Sequence, residues 1–183
     1  MHRPVASLIF ELQPLLQGKR VRLRPLLTDD WDELYACAAD PLIWEQHPQS
    51  NRHEKGIFRK FFAGALESGG ALVVLDVNDG KIIGTSRYYN FTEEPARVIV
   101  GYTFLTRKYW GGEVNREMKH LMLTHAFCFV DEVRFEIGIN NFRSRRAIEK
   151  LGARLLRKED LDQNPHVVYG IHRADYSKRC SLI

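Results

Sequence analysis

The chain has no apolar run of the roughly 18 residues that a membrane-spanning helix needs. Cysteine is scarce, three in 183 residues, and Cys37, Cys128 and Cys180 stand far apart with no Cys-x-x-Cys pair. That argues against a disulfide framework or a cysteine zinc site, and a reduced, cytoplasmic setting is the simplest reading. No sign of charge dominates: 27 Lys and Arg against 23 Asp and Glu leave a net +4. The basic residues are scattered apart from "NNFRSRRAIEK", so no nucleic-acid or membrane partner is expected. Repeats, low-complexity blocks and Pro/Gly/Ser linkers are absent, and the length suits one domain over 1–183. The opening "MHRPVASLIFELQPLLQGKR" has a short apolar patch broken by Glu11 and Gln13, without a small-residue cleavage site. Residues 1–17 therefore read as an N-terminal arm and not a signal peptide, and 177–183 as a C-terminal tail.

What is present is a mixture of the two hydrophobic periods. "GKRVRLRPLL" alternates Val21, Leu23 and Pro25 against Arg20, Arg22 and Arg24, a strand with one wet face. Thr28 is placed to cap a helix through Leu34 and Cys37, and Ser50 a second with Ile57, Phe58, Phe61, Phe62, Ala65 and Leu66 at helical spacing, stopped by Gly69-Gly70. "ALVVLDV" and "KIIGTSRYYNF" flank Asn78-Asp79-Gly80, a strong hairpin signal. "ARVIVGYTFL" is apolar enough to be a central strand. Met118, Leu121, Met122, His125, Ala126 and Phe129 then form one helix face. "VRFEIGIN" reads as a strand, "SRRAIEKLG" as a short helix, "HVVYGIHRADY" as a last strand, with a further strand allowed near Arg154–Arg157. The order predicts an α/β fold: a mixed, mostly antiparallel sheet flanked by helices, with a meander first and crossovers later.

Between the central strand and the helix after it lies "YWGGEVNREMK". Glycines at that junction leave unpaired amides and the positive end of a helix dipole at one point, which suits phosphate oxygens. The plain alternative is a tight turn in which Gly111 and Gly112 only supply positive φ. No Gly-Lys-Ser/Thr follows, so this is no Walker A loop, and the spacing is not Gly-x-Gly-x-x-Gly.

Further on, "VRFEIGINNFRSRRAIEKLGA" gives Asn141-x-x-Ser144 and then Lys150-Leu151-Gly152-Ala153. Here the sequence resembles the GNAT superfamily, the coenzyme-A-dependent N-acetyltransferases, and most of all the branch containing the ribosomal-protein N-terminal acetyltransferases. "GKRVRLRPLLTDDWDEL" is similar to that family's opening strand and helix, and "GYTFL…YWGG" to its pyrophosphate segment. The resemblance runs from about Gly18 to Tyr176. It departs in the phosphate loop, where Trp110 stands at the Gln/Arg position, Glu113 at the inner Gly and Asn115 at the Gly/Ala. A carboxylate at 113 repels a pyrophosphate unless it swings to solvent.

The resemblance implies acetyl-CoA as cosubstrate, no metal, a primary-amine acceptor, and direct attack in a ternary complex with no acyl-enzyme. Backbone amides of Phe104, Leu105 and Thr106 are the expected contacts for the thioester and pantetheine. Trp110, Gly111, Gly112, Glu113, Val114 and Asn115 are expected around the pyrophosphate, Asn141 on the pantetheine arm, and Arg145 and Arg146 at the 3′-phosphate. Ser144 is either a donor to the departing sulfur or the cap of its helix. Tyr169 is a competing general acid or a core tyrosine. For the base, Val100 occupies the place where many members carry an acid, so Glu136 and Glu159 rank equally, with Asp160 beside the latter and an already neutral amine as third choice. The loop Asp40–His53, with Trp44, Glu45, His47 and His53, should select the acceptor, and Glu45 could draw a cationic amine. His47 and His53 lack a third ligand at zinc spacing. Two rival readings stand: a non-catalytic CoA- or acyl-CoA-binding protein of the same fold, and a nucleotide-binding regulator using the glycine turn. The edges of an open sheet allow a homodimer.

Overall fold

Residues 71–76, "ALVVLD", are apolar on both sides, and this fixes the middle of the molecule. In a computed structural model, which describes residues 10–161 and 164–180, that run is a strand buried at every position. The elements in chain order are β1 (Leu16–Gln17), β2 (Val21–Pro25), α1 (Trp31–Ala38), α2 (Lys55–Glu67), β3 (Ala71–Asp76), β4 (Ile82–Glu93) and β5 (Ala96–Leu105). There follow α3 (Glu113–Ala126), β6 (Glu132–Gly138), α4 (Phe142–Lys150), β7 (Arg154–Leu161), β8 (Asn164–His172) and α5 (Arg173–Cys180). The strands form one sheet of eight, in the order β1-β2-β3-β4-β5-β6-β8-β7. Only β5 and β6 pair in parallel. The mixed, mostly antiparallel sheet with flanking helices is the architecture the hydrophobic periods imply.

Strand alternation divides the interior in two. Leu72 and Val74 of β3 face one cluster with Met118, Met122 and Leu123 of α3, Ile148 of α4 and Tyr176 of α5. Ala71, Val73 and Leu75 face the other, with Leu34 of α1 and Phe58 and Phe62 of α2. Truncating a fully buried member such as Leu34, Phe58 or Met122 to alanine costs about 2–5 kcal/mol. The β3–β4 hairpin turns on Asn78-Asp79-Gly80, with Gly80 at φ +71° and Asp76 accepting from the Asn78 amide at 2.9 Å.

Several ends differ from the sequence expectation. Thr28 does not cap α1; Thr28–Asp30 is a 3-10 turn, and Asp30 accepts from the Leu27 amide at 2.8 Å while Arg24 holds it at 2.7 and 2.8 Å. Ser50 does not cap α2, which starts at Lys55 after a further turn in which the His53 ring lies 3.1 Å from the Ser50 carbonyl. The last strand stops at His172, and "RADYSKRC" is helical, with the Tyr176 ring tilted against Phe127 at 5.2 Å. The segment read as an arm joins the fold at Phe10, packed on Tyr88, Phe91, His125 and Phe129, and at β1. Residues 1–9 of that arm and 181–183 of the tail lie outside the described residues.

Candidate active site

The site begins where two strands part. β5 and β6 pair only over Arg97–Ile99 and Glu132–Arg134, yet β5 continues to Leu105 and β6 to Gly138. Register shifts against β4 and a left-handed Tyr102 at φ +51° bend β5 as it leaves. The Thr106 amide donates to the Ile83 carbonyl at 2.9 Å, and Phe104 pairs with Thr85, so both of these residues point their backbone at β4. Leu105 points the other way, where its carbonyl accepts from Trp110 Nε1 at 2.9 Å. Alternation therefore leaves Leu105 and Thr103 with amides facing the opening. Phe104 and Thr106, expected as donors, are turned away; the bend that sets this parity is not written in the residue pattern. Phe104 is core, 5.0 Å from the Trp44 ring.

After β5 comes the glycine turn. Gly111 has φ +67°, and an added Cβ would meet nothing within 4 Å. Gly112 is the residue before α3 and provides no side-chain cap, so the amides of Glu113, Val114 and Asn115 start the helix uncovered by any capping side chain. Glu113 is exposed. Its carboxylate is bound by Arg20 and lies 3.4 Å from Arg116. These pairs are about half exposed and worth at most about 1 kcal/mol, but they offset the negative charge at the helix start. Glu117 accepts from the backbone amides of Lys19 and Arg20, the latter at 3.1 Å, and fixes α3 to the β1–β2 turn. A Cβ at Gly18 would lie 2.3 Å from Glu117 Oε1, so a larger residue there would displace the carboxylate that makes this tie.

Arg143, which the sequence reading passed over, joins this turn to the neighbouring loop. Its guanidinium stacks on Trp110 at 3.8 Å and donates to the Ile43 carbonyl at 2.8 Å. Trp44 is buried and donates to the Ala38 carbonyl at 2.8 Å, while Glu45 is exposed. Asn141, not Ser144, caps α4, accepting from the Ser144 amide at 3.2 Å. Ser144 is half-buried in the first turn. Arg145 is turned inward, donating to the Ile139 carbonyl at 2.8 Å and to Tyr169 at 3.2 Å, so its charge is spent inside the protein; Arg146 is exposed.

The acidic candidates separate clearly. Continuing the β5–β6 register two residues past Ile99 and Arg134 brings Glu136 level with Gly101, where the strands diverge. Glu136 is half-buried and accepts from the Tyr89 hydroxyl at 3.1 Å. Burial and the Glu136 charge push the Tyr89 phenol far up, so it stays a donor. Gly101 makes this possible, because a Cβ there would lie 2.9 Å from the Tyr89 ring. Val100 is buried among the α3 side chains on the opposite face. Glu159 sits on β7, the outermost strand, bound to Arg157 and separated from β6 by β8. The Asp160 side chain lies outside the described residues. Tyr169 is buried, donates to Glu149 and has its phenol pushed up by burial, which suits a core tyrosine.

Tyr89, Tyr102, Arg52, Arg87 and Lys119 were also not singled out in the sequence. Lys119 of α3 is buried beneath the bend of β5, 2.6 Å from Thr103 Oγ1 and 3.3 Å from Ser86 Oγ, and burial pushes its amine down to about 7. Among the described residues no group of three or more His, Cys, Asp or Glu is placed to hold a metal ion, and no helix is long and apolar enough to cross a membrane.

A family profile described as an acetyltransferase (GNAT) domain matches residues 20–154. No protein of curated function matches the chain in sequence. Among solved structures, a probable acetyltransferase of the GNAT family from Chromobacterium violaceum ATCC 12472 superposes with a TM-score of 0.81 at 15% identity, over 97% of this chain and 96% of that one. RimJ of Mycobacterium smegmatis in complex with CoA-disulfide gives 0.67 at 18% identity, over 85% and 83%. The ribosomal-protein-S5-alanine acetyltransferase of Vibrio fischeri gives 0.67 at 17%, over 89% and 98%. At these identities the superpositions speak for the fold; the profile, spanning most of the chain, speaks for descent. Parted strands, a glycine turn opening a helix and an Asn-capped α4 thus occur in a chain that belongs to the GNAT acetyltransferase family, which implies acyl transfer from an acyl-CoA donor.

Proposed function

We propose that the chain transfers an acetyl group from acetyl-CoA to a primary amine by direct attack within a ternary complex. The observation that carries this reading is the parting of β5 from β6 level with Glu136, with the uncapped start of α3 following a few residues after β5 ends. The residues fit a CoA thioester: open space lies beside Gly111, a Cβ at Gly112 would touch only the Trp110 carbonyl at 3.9 Å, and the amides of Glu113, Val114 and Asn115 suit a pyrophosphate. Leu105 and Thr103 direct amides at the place of the thioester carbonyl, where preorganised donors stabilise charge as it develops. In this reading Asn141 would meet the pantetheine arm, Arg146, exposed and in no ion pair among the described residues, would meet the 3′-phosphate, and Ser144 would serve the departing sulfur.

Glu136 is the base in this reading. An α-amine titrates near 7.7–8.0 and is partly neutral already, so a carboxylate accepting one proton, directly or through water, is sufficient. Tyr89 orients that carboxylate.

Thiol release from acetyl-CoA, run against a panel of primary amines, tests the reading, beside thermal shifts with acetyl-CoA, CoA and ATP. The expected result is stabilisation by the first two, none by ATP, and release with at least one amine. Stabilisation without release from any amine would mean a carrier-binding protein that lacks turnover. No stabilisation at millimolar acetyl-CoA would refute the assignment.

A further inference from the structure

The face of the sheet under α2 holds two buried cations with no counter-ion among the described residues. Arg52, in the loop before α2, and Arg87, on β4, are each 7% exposed. Each has a buried Nε with no hydrogen-bond partner. No carboxylate lies within ion-pair distance of either among the described residues. Among the described residues the hydrogen-bonding and ring contacts of Arg52 are neutral: Gln49, the His47 ring at 3.3 Å, and the faces of Phe61 and Trp44 at 4.8 and 5.2 Å. Burial and the Arg52 charge push His47 down to about 3, so it is no anion and no added cation. Arg87 rests on the Tyr102 ring at 4.1 Å and lies 5.8 Å from the Phe61 ring.

A cleft of about 490 Å³ opens beside both guanidinium groups, between α2 and the bend of β5, with Lys60, Gln49 and Tyr102 also on its wall. Burying one unpaired charge costs several kcal/mol, and two like charges together cost more. A fold keeps such a pair where something supplies the missing negative charge. The pair adjoins the candidate chemistry: Arg87 is level with Gly101 across the β4–β5 ladder, and Tyr102 touches Tyr89 at 5.1 Å, the residue that holds Glu136.

We propose that Arg52 and Arg87 bind the carboxylate of the acceptor, so that the enzyme acts on amines carrying a carboxylate near the nucleophilic nitrogen. Planar guanidinium forks bind carboxylates with two parallel hydrogen bonds, and the aromatic rings beneath hold the forks flat. Polycationic amines are disfavoured, because their remaining charges meet Arg52, Arg87 and Lys60. The catalytic part rests on the acyltransferase reading; the anion site itself does not.

Two measurements separate these. The first is the ligand-induced thermal shift of the full chain with glutarate, beside inorganic phosphate and sodium chloride at matched ionic strength, for wild type, Arg52→Gln, Arg87→Gln and Arg87→Lys. Glutarate should stabilise the wild type at millimolar concentration more than either control, with the shift lost in both Gln variants and reduced in Arg87→Lys. Equal shifts with phosphate would assign the pocket to a phosphate and overturn the carboxylate claim; no shift would overturn the site altogether. The second is the ratio of kcat/KM for an acidic amine to that for its carboxamide counterpart. A wild-type ratio of about tenfold or more that collapses in the Gln variants is expected, in line with the loss of a charge-assisted hydrogen bond. A ratio near one, or one that survives both substitutions, would overturn the acceptor assignment even if acetyl-CoA is bound and turned over.

Discussion

Glu136 is the single side chain on which the chemistry of this reading turns, because it alone among the acidic candidates meets the parting strands. Glu136→Gln should lower kcat/KM for thiol release by about 10²–10⁴-fold, the usual worth of a positioned base. The acetyl-CoA thermal shift should survive, and part of the loss should return above pH 8, where an α-amine is already neutral. Lys119 makes a different claim. The unfolded side chain titrates near 10.5 and the folded one near 7, so between those values the unfolded chain holds the extra proton and stability rises with pH. Lys119→Met should therefore be more stable than wild type in urea unfolding at pH 7, with the gap closing toward pH 10. The residue pattern made Glu136 and Glu159 equal, because each is an acid on a strand near the family's motif. Separating them takes the strand order, which puts β8 between β7 and β6. Arg52 and Arg87 were illegible for a similar reason: they lie 35 positions apart in sequence and come together only in the fold, at Phe61 and the cleft beside it.

Elements were easier to read where a local signal fixed them. The Asn-Asp-Gly hairpin, the glycine turn and the amphipathic α3 each carry their own stereochemistry. β1, two residues long, is below any period, and α5 hid because no Gly or Pro separates it from the end of β8. At α4 the sequence allowed Ser144 as the cap, and Asn141 holds that place. Asn141→Ala should cost about 1 kcal/mol, the typical value of an N-cap, whereas Ser144→Ala should cost little in stability. Denaturant midpoints of the two variants decide it. At α3, Arg20→Ala should weaken CoA binding about two- to fivefold, the 0.3–1 kcal/mol that a charge at a helix start is worth, by leaving Glu113 uncompensated. Adding Glu113→Gln to that background should restore the affinity in calorimetry.

At the scale of the whole molecule, two separate interiors on either face of one sheet account for the stability, and the family's site is the defect between strands. The fold class followed from the sequence because β3 and β5 are apolar enough to be central and the helical stretches between strands have one oily face. The geometry of the defect did not, since it depends on where β5 bends. One consequence concerns mechanics. Along the whole width of the sheet, three rungs, Arg97–Ile99 against Glu132–Arg134, stitch the five leading strands to the trailing three. Such a seam bears little load, so shear between the halves falls on the α3 side chains that straddle it. Amide hydrogen exchange at those rungs should be faster than along β3–β4, and a bound thioester carrier, lying across the gap, should slow it on both sides at once.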